Sequence, residues 1–128
     1  MSTLTVRLLT GAALTASLLS ALPAAPAAAV DTVLRLTITE PAPTGARMVV
    51  LTCDPAGGTH PRAAAACADL TRTGGRIVRG RSNAACTREY WPATGRAVGL
   101  WRGRIVRWSR TYPNLCELRA HTGAVFRF

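Results

Sequence analysis

Residues 33–39 run Val33-Leu34-Arg35-Leu36-Thr37-Ile38-Thr39, β-branched and partly alternating, and read as a strand with one buried face. Glu40-Pro41-Ala42-Pro43-Thr44-Gly45 interrupts it, because two prolines and a glycine neither continue a ladder nor build a helix. Residues 47–52 supply a second strand ending at Cys53, so the pattern predicts an antiparallel hairpin. Residues 54–60 are loop by composition. From Pro61 to Arg72 the chain is alanine-rich, which predicts a helix: proline is tolerated in a first turn, alanine is the best helix former, and Gly74-Gly75 marks the end. Cys67 and Leu70, three apart, share its inner face.

Residues 76–85 hold three arginines and little that could fill a core, which predicts an exposed irregular segment leading into Cys86. Beyond Pro92, residues 97–101 and 104–109 flank Arg102-Gly103 as the arms of a tight hairpin. In the second arm Ile105, Arg107 and Ser109 alternate with Val106, Trp108 and Arg110. Tyr112-Pro113-Asn114 breaks that strand, and Asn114 caps a short helical turn carrying Cys116, Glu117 and Leu118. Residues 125–128 read as a last strand. The sum is an α+β domain: antiparallel strands with one or two helices and no βαβ alternation.

The first 29 residues stand apart. Arg7, an apolar run over 8–22 and the small-residue stretch from Pro23 to Ala29 follow the order of a secretory signal peptide, with Ala27-Ala28-Ala29 as the cleavage site and the bond after Ala25 as a second. The apolar run is too short to serve comfortably as a membrane anchor. The division is thus 1–29 leader and 30–128 domain, which places the mature protein outside the cell. A domain this small often needs covalent staples. Cys53, Cys67, Cys86 and Cys116 read as two disulfides, for which three pairings exist. Zinc is disfavoured, since there is no Cys-x-x-Cys and only His60 and His121 could add imidazoles. No other metal or cofactor is implied.

All 16 Lys-plus-Arg residues are arginine, against six Asp plus Glu, for a formal charge of +10. Such an excess attracts acidic partners, and Trp101, Arg102, Arg104, Arg107, Trp108 and Arg110 could grip a single-stranded nucleic acid. A cationic secreted protein binding anionic envelopes or nucleic acid is therefore the alternative reading. The alternation of the strand favours core tryptophans and solvated arginines instead. Nothing resembles Gly-x-Ser-x-Gly, His-Glu-x-x-His or a phosphate-cradling loop, so the chain does not read as an enzyme. His60, before the helix, reads as bonding backbone groups of its loop, and His121 lies in a turn-like context.

The chemistry concentrates in Cys86-Thr87-Arg88-Glu89-Tyr90-Trp91-Pro92. A substrate-like protease inhibitor needs a side chain for the enzyme's specificity pocket, an extended loop around it, and restraint on both sides. Arg88 can pair with a carboxylate at the base of a trypsin-type pocket. Cys86 would tie the loop to the body, and Pro92 fixes φ on the other side. Rigidity lowers the ordering cost of binding and holds cleaved ends in register.

Cys53-Asp54-Pro55-Ala56-Gly57-Gly58-Thr59-His60-Pro61, followed by Ala66-Cys67-Ala68-Asp69-Leu70, closely resembles the signature of the Streptomyces subtilisin inhibitor family. Gly99-Leu100-Trp101-Arg102-Gly103, Asn114-Leu115-Cys116-Glu117 and the segment from Ala120-His121 to Phe128 resemble its later landmarks. The resemblance implies a sheet of about five antiparallel strands with two short helices, a homodimer formed through the sheet, and disulfides Cys53–Cys67 and Cys86–Cys116. It implies a reactive bond at Arg88–Glu89, with Thr87 and Tyr90 making substrate-like contacts and Cys86, Trp91 and Pro92 completing the protease-contacting loop. The implied partner is an extracellular serine protease, trypsin-like by virtue of Arg88, with subtilisins also open because their pockets are roomy. Two departures stand out: Trp91 occupies a position that is often a carboxylate in the family, and residues 76–85 are shorter and more basic.

Overall fold

The computed structural model describes Gly11, residues 17–24 and residues 31–128. Much of the expected leader, with its expected cleavage site at Ala27-Ala28-Ala29, lies outside the described residues. Five strands form one antiparallel sheet: β1 (Thr32–Thr39), β2 (Ala46–Cys53), the two-residue β3 (Gly57–Gly58), β4 (Ala93–Trp101) and β5 (Arg104–Tyr112). Their order across the sheet is β3-β2-β1-β4-β5. Helices α1 (Ala63–Thr73) and α2 (Leu115–Thr122), with a 3₁₀ turn over Gly123–Phe126, cover one face. The α+β class and the strand and helix count read from the sequence hold.

β1 shows how the pattern becomes a core. It pairs with β2 on one side (Leu34↔Leu51) and β4 on the other (Leu36↔Ala97), and Thr32, Leu34, Leu36 and Ile38 are all fully buried. Leu34, Leu36 and Ile38 each contribute about 1.5–3 kcal/mol relative to exposure. From the helices Leu70, Leu118 and Phe126 meet this row, and Trp101 closes one end. The end of α1 seats that indole. The Gly75 amide bonds the Leu70 carbonyl at 2.8 Å, and a Cβ on Gly75 would run into the Trp101 ring. Opposite, Arg102 at the β4–β5 turn adopts φ +45°, held by its amide on the Thr32 hydroxyl (3.0 Å) and its guanidinium on Asp54 (3.2 Å).

Several sequence readings change. Residues 125–128 are no strand: Gly123 turns the chain at φ +63° into the 3₁₀ turn, which lays Val125 and Phe126 on the sheet face. The Ala124 amide is caught there by the buried carboxylate of Asp69 at 2.8 Å. Residues 76–85 are not free of core, because Ile77 is buried. Gly57-Gly58 belongs to the sheet edge, β4 starts four residues earlier than its apolar run, and β5 extends to Tyr112. His121 lies in α2 against the Tyr112 ring, 5.0 Å between centroids, and not in a turn. His60 is buried, accepting from the Arg62 amide at 2.9 Å as its loop context suggested and reaching the Val125 carbonyl at 3.0 Å.

Candidate functional site

The segment from Ala85 to Pro92 has no regular secondary structure and runs over the surface directly into β4, whose first residue, Ala93, is fully buried. One end is tied by the disulfide Cys86–Cys116, which reaches the first turn of α2; the second disulfide, Cys53–Cys67, joins β2 to α1. Thr87, Arg88, Glu89 and Tyr90 are all exposed.

The loop's backbone is held by the junction between β5 and α2. Asn114 caps α2: its Oδ1 accepts from the Glu117 amide at 2.9 Å. The same side chain turns its Nδ2 outward and donates to the carbonyls of Thr87 (3.2 Å) and Glu89 (2.9 Å). The Trp91 amide donates to the Pro113 carbonyl at 2.9 Å. Main-chain groups of residues 87, 89 and 91 are thus each fixed from behind, while the side chains between them face solvent. Asn114 was legible as a helix cap. Its second role was not, because nothing local in sequence links residue 114 to residues 87 and 89.

The approach to the loop is also braced. Arg81 makes a two-pronged pair with Glu117, Nε to Oε2 at 3.1 Å and Nη2 to Oε1 at 2.9 Å. The same guanidinium donates to the Ser82 (3.0 Å) and Ala84 (3.2 Å) carbonyls. The amides of Arg79 and Ser82 donate to the carbonyls of His121 and Ala120, which the end of α2 leaves without helical partners. The hydrogen bond from Arg81 holds the Glu117 carboxyl below its ordinary range, and Glu117 in turn raises Arg81. A depressed carboxyl stabilises the fold above its unfolded pKa, and this contribution disappears as pH falls through the lower, folded value. Below about pH 4.3, the ordinary glutamate value, the melting temperature of the wild-type chain should therefore fall more steeply than that of Glu117→Gln. Parallel pH profiles in calorimetry would show that the pair contributes nothing.

The scaffold therefore presents a peptide anchored through its backbone, with Thr87, Arg88, Glu89 and Tyr90 exposed. Among the described residues no group of three His, Cys, Asp or Glu side chains is placed to hold a metal ion. Residues 30–114 match the model of the subtilisin inhibitor-like family. The chain belongs to that family. A subtilisin inhibitor of Streptomyces violaceus is 48% identical over 81 residues, covering 60% of this chain and 56% of the relative. Subtilisin inhibitor-like protein 5 of Streptomyces fradiae is 46% identical over 85 residues, 64% of this chain and 79% of its own. Among solved structures, Streptomyces caespitosus sermetstatin, crystallised in complex with Bacillus licheniformis subtilisin, superposes with a TM-score of 0.60 at 30% identity. That match covers 75% of this chain and 97% of sermetstatin. These relatives are named as protease inhibitors and not as enzymes.

The basic strand pair offers little to a nucleic acid. Trp101 is 2% exposed and gives a base no face to stack on, and Trp108 is half-buried with its ring packed on Phe126 at 5.5 Å.

Proposed function

We propose that this chain is a secreted, reversible, substrate-like inhibitor that offers Arg88–Glu89 to serine proteases. Arg88 fills the specificity pocket of trypsin-like enzymes, and roomier subtilisin pockets also admit it. The observation that carries this reading is the grip of Asn114 on the carbonyls at both sides of Arg88. A bond cut there leaves both new ends attached to one side chain, so it can close again, and water has little chance to carry the reaction forward. The disulfide to α2 and the Trp91–Pro113 hydrogen bond extend this restraint in each direction. Titration of trypsin and subtilisin with the chain 30–128, with mass spectrometry of any products, tests it. Stoichiometric inhibition with slow nicking confined to Arg88–Glu89 is the expected result; rapid cutting at several arginines without inhibition overturns it.

The chain is further proposed to form a homodimer through the sheet face that the helices leave open. Val33, Met48, Leu100 and Ile105 are exposed there, at 41%, 54%, 40% and 74%. The pairing register sets Arg35, Val98 and Arg107 in one row of that face, with Arg96 in the next. None of these arginines pairs with a carboxylate among the described residues. Two such faces repel through like charge, and salt screens repulsion of this kind over about 10 Å at 0.1 M. The dimer should therefore tighten as salt is raised, read as a falling dissociation constant in analytical ultracentrifugation. A dimer that loosens with salt would place the contact elsewhere.

A further inference from the structure

We propose that Glu89 and Trp91 form a second specificity element, on the leaving-group side of Arg88. They select proteases that carry a basic side chain beside the pocket and an apolar shelf one step beyond it. This rests on the reading of Arg88–Glu89 as the bond presented to the enzyme.

Glu89 is one of two carboxylates, with Asp31, that pair with no arginine among the described residues. Of six carboxylates, Glu40, Asp54, Asp69 and Glu117 each pair with an arginine within 3.6 Å. Glu89 has no such partner among the described residues, although the chain contains 16 arginines. Its carbonyl accepts from Asn114 Nδ2 at 2.9 Å, so the scaffold fixes the backbone from which the carboxylate projects. On binding, Arg88 enters the enzyme's pocket and is engaged by the enzyme's own carboxylate. Glu89 then sits at a rim that is losing water, with no cation of its own chain to answer it. An enzyme with lysine or arginine at that rim completes the pair. An enzyme with an acid there meets a like charge.

Trp91 points to the same division of labour. Of the other two tryptophans, Trp101 is buried at 2% exposure and Trp108 is half-buried, packed against the core at Phe126. Trp91 remains 37% exposed, beside Tyr90 at 77%, although the Trp91 amide is anchored to Pro113 and Pro92 follows it. An indole whose backbone is already fixed offers contact area at a small ordering cost. Such residues dominate interface energetics and act mainly on dissociation, whereas rim charges act on association.

The test measures association and dissociation rates against two trypsin-like proteases of known structure. One carries a lysine or arginine facing the residue after the scissile bond, and the other an aspartate or glutamate. Glu89→Gln should slow association with the basic-rim enzyme by about tenfold at low salt, flatten its salt dependence, and speed association with the acidic-rim enzyme. Trp91→Ala should speed dissociation by about tenfold. Superimposable thermal unfolding of the variants and wild type keeps the comparison on folded protein. Glu89→Gln changing both enzymes by one factor, or Trp91→Ala leaving dissociation unchanged, overturns the proposal. If inhibition in that case is still abolished by Arg88→Ala, the assignment of the bond stands. Failure of the wild-type chain to inhibit either enzyme removes the assignment and this proposal with it.

Discussion

Arg88→Ala should weaken inhibition of trypsin by at least about a thousandfold, the equivalent of roughly 4 kcal/mol, on the scale of a buried interface anchor. The expectation follows from what the side chain does on each side of the equilibrium. In the free chain Arg88 is exposed and makes no hydrogen bond with any described residue, so its removal should leave the fold untouched. In the complex its guanidinium would be the group that pairs with the carboxylate at the base of a trypsin-type pocket, and alanine leaves that carboxylate buried and unanswered. Arg88→Met or Arg88→Leu should move the preference towards subtilisin, whose pocket asks for bulk and not charge. Arg79→Ala is the internal control, since Arg79 pairs with Asp69 and its amide serves α2. Inhibition constants from tight-binding titration decide the matter: an unchanged value for Arg88→Ala would move the reactive bond elsewhere.

The second large effect is expected at Asn114, where two substitutions separate two roles. Asn114→Ser keeps an oxygen to cap α2 but loses both donors to the loop. Two neutral hydrogen bonds are worth about 2 kcal/mol together, or roughly thirtyfold. Trypsin should therefore cut Asn114→Ser at Arg88–Glu89 tens of times faster than wild type, while the melting temperature changes little. Asn114→Ala should be cut as readily and in addition lose about 1 kcal/mol of stability with the cap. Cleavage followed by mass spectrometry, beside thermal unfolding, resolves the two. If both variants resist cutting as wild type does, the disulfide and the Trp91–Pro113 hydrogen bond restrain the loop without Asn114.

The legible parts of this molecule are those with local causes. Leu34, Leu36 and Ile38 alternate because one face of β1 is buried, and the hairpin with β2 follows from the prolines between them. Helix α1 is visible in its alanines and ends at Gly74 in the left-handed conformation. Asn114 announces α2. What escaped has distant causes. Val125-Phe126 is apolar enough for a strand, but Gly123 turns the chain and the Ala124 amide is held by Asp69, 55 positions away. Ile77 and Val78 form a two-residue apolar run among arginines and glycines, too short for any periodicity to mark Ile77 as core. At the site, the residues of the loop could be named from their chemistry, whereas the scaffold behind them could not: Asn114, Pro113 and the Arg81–Glu117 pair meet the loop only in three dimensions.

The sheet order carries a consequence of its own. Everything before Arg88 supplies β1, β2, β3 and α1, and everything after Glu89 supplies β4, β5 and α2. The two halves meet along the β1–β4 ladder, seven residue pairs from Val33↔Leu100 to Thr39↔Thr94. A chain opened between Arg88 and Glu89 is therefore a two-fragment protein sharing one sheet, fastened by Cys86–Cys116. Oxidised, the fragments recombine at a rate independent of dilution. Reduced, they become separate partners whose reassembly follows mass action, which makes this position a natural place to divide the fold into complementing pieces.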